Sequence, residues 1–220
     1  MLLLVSGATA TLARHHGHPA LGRLITPDNG NAIESLAPWT YGCDNSALGK
    51  DGINPDRLLR LWDQLALARH PGLRFVAAPD AVMQTPDGPR GDWSGTLWLW
   101  RCWRPALLAR RLPAAIVLQD GATPDTVPWD DVAAVFVGGS TRWKLSRAAE
   151  LLVRLARARG KWAHVGRVNT FRRLARVEAM GADSFDGTQF SMFPDTHIPR
   201  WLSRLELQQH GMREIFNAAA

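Results

Sequence analysis

Gly181-Ala182-Asp183-Ser184-Phe185-Asp186-Gly187-Thr188 is the stretch on which the fold is read. Upstream, Phe171–Met180 has the spacing of a short helix, and Gly181 supplies the residue that commonly stops one. Ala182–Phe185 then reads as a buried strand, with Asp186 at its end and Gly187 directly after it. A carboxylate in that place is rigidly held yet open to a ligand, which is where barrel enzymes put catalytic groups. The same spacing also suits a loop whose aspartate caps the next turn.

Seven further stretches repeat this grammar of an apolar run stopped by a polar residue, glycine or proline. They are Leu2–Val5 before Ser6-Gly7, Arg23–Ile25 before Thr26-Pro27, Thr40–Cys43 before Asp44-Asn45, and Arg74–Ala78 before Pro79-Asp80. Ala115–Leu118 before Gln119-Asp120, Ala133–Val137 before Gly138-Gly139, and Trp162–Val165 before Gly166-Arg167 complete the set. Between them, Pro55–His70 opens with Asn54 as cap and Pro55 at the first helical position, and puts Leu58, Leu61, Trp62 and Leu65 on one face. Arg142–Arg159 places Trp143, Leu145, Ala148, Leu151, Leu152 and Leu155 inward and stops at Gly160. Trp93–Leu112 reads as one helix or two, interrupted at Pro105, and Pro199–His210 as a last helix. Asp28–Pro38 and Ala122–Trp129 lack helical period.

Strands alternating with helices imply a parallel sheet, because parallel neighbours need crossovers. Eight of them predict a compact (β/α)8 TIM barrel over residues 1–220, an α/β fold with some helices shortened or lost. The other arrangement is an open doubly wound sheet.

Composition narrows the class. The chain has 220 residues, 46% of them hydrophobic and 21% charged, enough for one domain with a full core. The net charge of +6 comes from arginine, since lysine occurs only at 50, 144 and 161. Such an excess suits a nucleic-acid partner, although an arginine-rich genome gives the same bias. Two cysteines, Cys43 and Cys102, exclude a disulfide framework and a multi-cysteine zinc site. The start Met1-Leu2-Leu3-Leu4-Val5-Ser6-Gly7 is too short for a signal peptide, and no apolar run reaches transmembrane length. A cytoplasmic protein with no membrane partner is expected. His15, His16 and His18 are close in sequence but have no clear carboxylate or cysteine partner nearby, so no metal is expected there. His164, inside a strand, is expected to be a packed or hydrogen-bonded core residue.

In a barrel, all strand C-termini open on one face. Asp44, Asp80, Gln119, Gly138, Gly139, Gly166 and Asp186 should therefore converge. Three carboxylates, an amide and exposed backbone N–H groups suit a polar planar ligand such as a purine, with one carboxylate left to attack carbon.

The ordered set resembles the guanine transglycosylases of the queuine tRNA-ribosyltransferase superfamily. The resemblance lies in Gly181-Ala-Asp-Ser-Phe-Asp186, His164-Val-Gly-Arg-Val-Asn169, Phe136-Val-Gly-Gly-Ser140, Val117-Leu-Gln-Asp-Gly121, Ala78-Pro-Asp80 and Asp44-Asn-Ser46. It implies a TIM barrel, Asp186 as nucleophile, and Asp80, Gln119 and Gly139 on the base. Asp44 becomes the candidate for proton transfer or sugar positioning. No cysteine follows Asp186, so the family's zinc subdomain is missing. In this the chain looks more like the small phage and bacterial 7-deazapurine DNA transglycosylases. The implied reaction exchanges guanine in DNA for a free 7-deazaguanine base through a covalent aspartyl-deoxyribose intermediate, with neither metal nor redox cofactor. The target base would be single-stranded or flipped out, in the cytoplasm of a bacterial or phage-infected cell. Arg142, Lys144 and Arg167 are the expected nucleic-acid contacts, while Arg147, Arg154, Arg157 and Arg159 read as a solvated helix face. A protein partner or homo-oligomer would be one way to replace the missing subdomain. Exchange on tRNA, a nucleoside- or nucleotide-processing hydrolase, and a non-catalytic DNA-binding barrel stay open as other readings.

Overall fold

The computed structural model describes residues 1–29, 32–49, 51–86 and 88–218, with the side chains at 84, 89 and 208–218 outside the description. Lys50 and the last two residues of the Ala218–Ala220 tail lie outside it too.

The apolar runs fold as the staves of a barrel. In chain order they are β1 (Leu2–Val5), β2 (Leu21–Ile25), β3 (Tyr41–Cys43), β4 (Leu73–Ala77), β7 (Ala114–Leu118), β8 (Ala134–Val137), β9 (Trp162–Val165) and β10 (Ser184–Phe185). All eight pair in parallel, each with its sequence neighbours, and β10 pairs with β1 to close the ring. The helices are α1 (Thr9–Arg14), α2 (Pro55–Ala68), α3 (Trp93–Ala109), α4 (Thr141–Lys144), α5 (Arg147–Ala158), α6 (Phe171–Met180), α7 (Thr188–Met192) and α8 (Pro194–Ala218). Among the described residues, the β2–β3 and β7–β8 connections hold only 3₁₀ turns, Ile33–Leu36 and Trp129–Asp131. These are the two segments whose sequence lacks helical period. The fold is thus a compact (β/α)8 barrel, and the open doubly wound sheet is set aside by ring closure.

The strands read as continuous apolar runs because both faces are buried. Leu4, Leu24, Phe75, Ala77, Ala115, Val117, Ala134 and Phe136 fill the barrel interior. Their neighbours Leu3, Val5, Val76, Ile116 and Val135 point outward into the layer beneath the helices.

Several elements differ from the sequence reading: α1 and α7 are additional, and α8 begins at Pro194 and holds Pro199 inside it, where a helix was expected to start at Pro199. Arg142–Arg159 is two helices, because Ser146 Oγ accepts from Ala149 N at 3.3 Å and starts a new one. The restart resets the phase: α5 buries Ala149, Leu152, Val153 and Ala156, and leaves Ala148 and Leu151 exposed. Pro105 lies inside α3 without ending it. An antiparallel hairpin, β5 (Ala81–Thr85) and β6 (Gly88–Asp92), stands apart from the ring between β4 and α3.

Inside the barrel, a Cβ on Gly42 would come 2.2 Å from Phe75 Cζ. Phe75 in turn packs edge-on to Phe136 at 5.9 Å and against His164 at 4.9 Å. Gly42→Ala should therefore destabilise the fold by about 1–3 kcal/mol in denaturant unfolding, through overpacking. Gly42→Ala/Phe75→Leu should be more stable than the sum of the single changes predicts; strict additivity would contradict this packing.

Candidate active site

Each candidate residue read from the sequence follows the C-terminal end of a different stave, apart from the neighbours Gly138 and Gly139. A cavity of about 70 Å³ at the barrel mouth is lined by Asp44, Asp80, Gln119, Gly138, Gly139, Gly166 and Asp186. All seven are brought together, and Arg167 joins them. Asn45, Val82, Gly91 and Phe136 line the same cavity and were not among the candidates.

Asp186 is held on both oxygens. Its Oδ2 meets His164 Nε2 at 2.9 Å, and its Oδ1 accepts from the backbone N–H of Arg167 at 3.1 Å. His164 is fully buried, between Phe75 and Phe136. Its Nδ1 lies 2.8 Å from Ser184 Oγ, which accepts from Trp162 Nε1 at 2.9 Å. An ionised carboxylate can only accept, so a proton sits on Nε2; Ser184 Oγ donates to Nδ1 of the neutral ring and accepts from Nδ1–H of the charged one. His164 is thus the packed, hydrogen-bonded residue expected of it, and the contact with Asp186 is the part that the sequence did not reveal. Burial pushes the Asp186 carboxyl upward, but the His164 bond and charge, the Arg167 N–H and the Lys144 charge outweigh it. The group is held below its ordinary value.

Asp44 behaves in the opposite way. Its Oδ1 accepts from the adjacent Asn45 N–H at 2.7 Å, and the Ser46 N–H also favours the carboxylate. Burial and then the charge of Asp186 push it up to about 7. Asp80 is pushed up to about 6 by burial, against the hydrogen bonds it receives from Asn45 and Gln119. Asn45 Nδ2 donates to Asp80 Oδ1 at 2.8 Å and to Ala78 O at 2.6 Å, while Gln119 Nε2 donates to Asp80 Oδ2. Gln119 Oε1 accepts from Gly139 N at 2.6 Å. The amide orientation is therefore fixed, and Gln119 holds Asp80 while facing the cavity. Gly139 has φ +66°, and a Cβ there would lie 2.7 Å from Asp120 Oδ2. Asp120 does more than begin a turn: its two oxygens accept from Ser140 N and Ser140 Oγ, both at 2.6 Å.

The hairpin roofs the cavity through Val82 and Gly91. A Cβ on Gly91 would fall 1.8 Å from Gln119 Oε1, so only glycine lets the roof come so near. Thr96 of α3 pins the hairpin's base, accepting from Ala81 N at 3.0 Å and donating to Asp92 O at 2.8 Å.

The expected nucleic-acid contacts divide three ways. Arg142 is exposed on α4. Arg167 is half-buried, with its guanidinium on Gly139 O. Lys144 is a correction: it has no exposed surface, and its Nζ donates to Gly166 O at 2.7 Å, so it cannot reach a phosphate. On the outer face, Arg154 and Arg157 pair with Glu150 and Asp183. Of the tryptophans in α3, Trp93 and Trp100 are buried and Trp98 is exposed. His16 stacks edge-on to Trp39 at 4.9 Å and His18 meets Glu206 at 2.8 Å. No group of three or more His, Cys, Asp or Glu among the described residues could hold a metal ion. No helix among them is long and apolar enough to cross a membrane.

Comparison of the chain with protein-family models and with curated proteins finds no match.

The upward shift of Asp44 has a measurable consequence. Its folded value, about 7, lies above the ordinary 3.8, so the folded state binds the extra proton and loses stability as pH rises between those values. Asp44→Asn keeps the acceptor oxygen and removes the titration. The variant should gain stability over the native chain at pH 8, on the order of 1 kcal/mol or more, with the gain fading towards pH 4. Unfolding curves across this range check it; a gain that grows on acidification would contradict the assignment.

Proposed function

We propose that the protein is a base-exchange glycosyltransferase that replaces guanine in DNA with a 7-deazaguanine base. The observation that carries this reading is a pair of differently held carboxylates lining one mouth, Asp186 between His164 Nε2 at 2.9 Å and the Arg167 N–H at 3.1 Å, and Asp44 on backbone N–H groups alone, which pushes their proton affinities in opposite directions. Two such groups are a pre-sorted nucleophile and proton carrier. The Gly-x-Asp-x-Phe-Asp pattern that resembles the guanine transglycosylases supports the choice of reaction.

In the first step Asp186 attacks the anomeric carbon of a deoxyguanosine. The glycosidic C–N bond breaks, its electron pair leaves with guanine, and protonated Asp44 supplies the proton that neutralises the leaving base. The deoxyribose stays on Asp186 as an ester, as in a retaining glycosidase. The incoming 7-deazaguanine loses a proton to Asp44, attacks the same carbon and releases Asp186. Asp80, braced by Asn45 and Gln119, accepts from the N1–H and amino group of the base. Arg167, which lines the cavity, and the exposed Arg142 would contact the phosphates of a flipped or single-stranded nucleotide.

The test is incubation with DNA and 7-cyano-7-deazaguanine, followed by digestion and nucleoside mass analysis. Incorporation is expected; guanine release without incorporation would make the protein a hydrolase, and neither would overturn the reading. Asp186→Asn should lower exchange by about 10³-fold or more, since it removes a charge used in the transition state. It should also abolish a covalent DNA adduct that the native protein accumulates without incoming base. Asp80→Asn should instead weaken base binding or change base choice, because a donor replaces an acceptor. Near-normal exchange by Asp186→Asn would move the nucleophile assignment to Asp44.

A further inference from the structure

Lys144 is a costly residue for its place. It is fully buried at the end of α4, and among the described residues its ammonium makes one hydrogen bond, to a neutral carbonyl. A buried ammonium without a contacting carboxylate is disfavoured by several kcal/mol, and a methionine would fill similar space without that cost. The charges around it are Arg167 and Arg173, which repel it, and Asp186 and Asp120, which attract it. Burial and the two arginines bring it down to about 7.

Its carbonyl partner explains the choice. Gly166 C=O and Arg167 N–H are the two ends of one peptide group. Lys144 Nζ donates to the oxygen at 2.7 Å, and the N–H at the other end donates to Asp186 Oδ1 at 3.1 Å. A cation on the carbonyl polarises the peptide and strengthens the bond that its N–H makes. The peptide also needs holding: Arg167 sits at φ +61°, a left-handed conformation that a non-glycine residue seldom adopts unless its surroundings hold it there. Gly166 closes the other side, where a Cβ would strike the Phe136 ring at 2.8 Å and approach Asp186 Oδ2 to 3.4 Å. Lys144 itself is set by the cap of its helix, since Ser140 Oγ accepts from Trp143 N at 3.2 Å and is clamped by Asp120.

We propose that Lys144 is a positioning residue for Asp186: from beneath the barrel mouth its ammonium pins the Gly166–Arg167 peptide and supplies the counter-charge of the nucleophile. The inference rests on the reading of Asp186 as the nucleophile, but its physical core, the coupling of two charges through a peptide, does not require turnover.

Carboxyl-carbon NMR on the full chain follows the Asp186 titration directly. Lys144→Met should raise its midpoint by about half a unit or more, and the acid limb of the exchange rate should move by the same amount. Lys144→Gln, which keeps a donor for Gly166 O without the charge, should also raise the midpoint and move the Arg167 amide shift in the direction that deprotonation of Lys144 moves it. An unchanged Asp186 midpoint in either folded variant would overturn the proposal. If both variants fail to fold, Asp44→Asn removes the competing titration near pH 7 and leaves Lys144 intact. The Asp186 carboxyl and the Arg167 amide should then both show an inflection at the pH where Lys144 Cε titrates, and no inflection would overturn it. A native protein that exchanges no base would sink the proposed function and leave these titrations still decisive for the coupling.

Discussion

Three carboxylates at one end of an apolar cylinder are the constraint around which the molecule is arranged. Leu4, Leu24, Phe75, Val117 and Phe136 fill the barrel below them and exclude water. Each charge must then be matched or suppressed. Asp186 is matched by His164, by one N–H and by the nearby Lys144 charge. Asp80 is held by the neutral amides of Asn45 and Gln119 with the Arg167 charge farther off, and Asp44 by the backbone N–H groups of Asn45 and Ser46. The difference in partners, at comparable depth, is what separates their proton affinities. The aromatic packing around His164 contributes too, since a ring held between Phe75 and Phe136 cannot turn its Nε2–H away from the carboxylate.

Much of this geometry was legible because the barrel ties chain order to space. A polar residue that ends an apolar run must appear at the mouth once the run is a stave, so Asp44, Asp80, Gln119 and Asp186 could be placed without any contact information. The helix-free connections were equally readable, since Asp28–Pro38 and Ala122–Trp129 offer no apolar stripe to bury. Legibility ended where position depends on cross-chain partners. Lys144 resembles any surface lysine of a basic helix until its carbonyl is seen. The hairpin was hidden because Pro86, Gly88, Pro89 and Gly91 break the alternation that marks a strand, and its order comes from Thr96 and from the Thr85 Oγ–Gly88 O bond at 2.6 Å. The break at Ser146 was missed because the arginine and leucine spacing on either side is compatible with one continuous helix.

The same glycine-rich strand ends that let the backbone approach a flat ligand also let buried side chains reach the backbone: Gly139 meets Gln119, and Gly166 meets Lys144. Recognition of a base and tuning of the nucleophile would then use opposite sides of the same loops.

The seam of the ring carries a consequence for how the chain is made. β10 is two residues long, and it joins β1 through Leu2–Ser184 and Leu3–Phe185 only. Trp201 of α8 covers that junction from outside, lying 5.7 Å from Phe185 and 4.7 Å from Phe171. During synthesis the first stave emerges long before its partner, so its far edge stays unpaired until nearly all the described chain has left the ribosome. An open parallel sheet with an apolar edge is prone to wrong pairing. The residues that end this exposed period are the ones that carry Asp186, so completion of the ring and arrival of that carboxylate at the mouth are a single event in the life of each molecule.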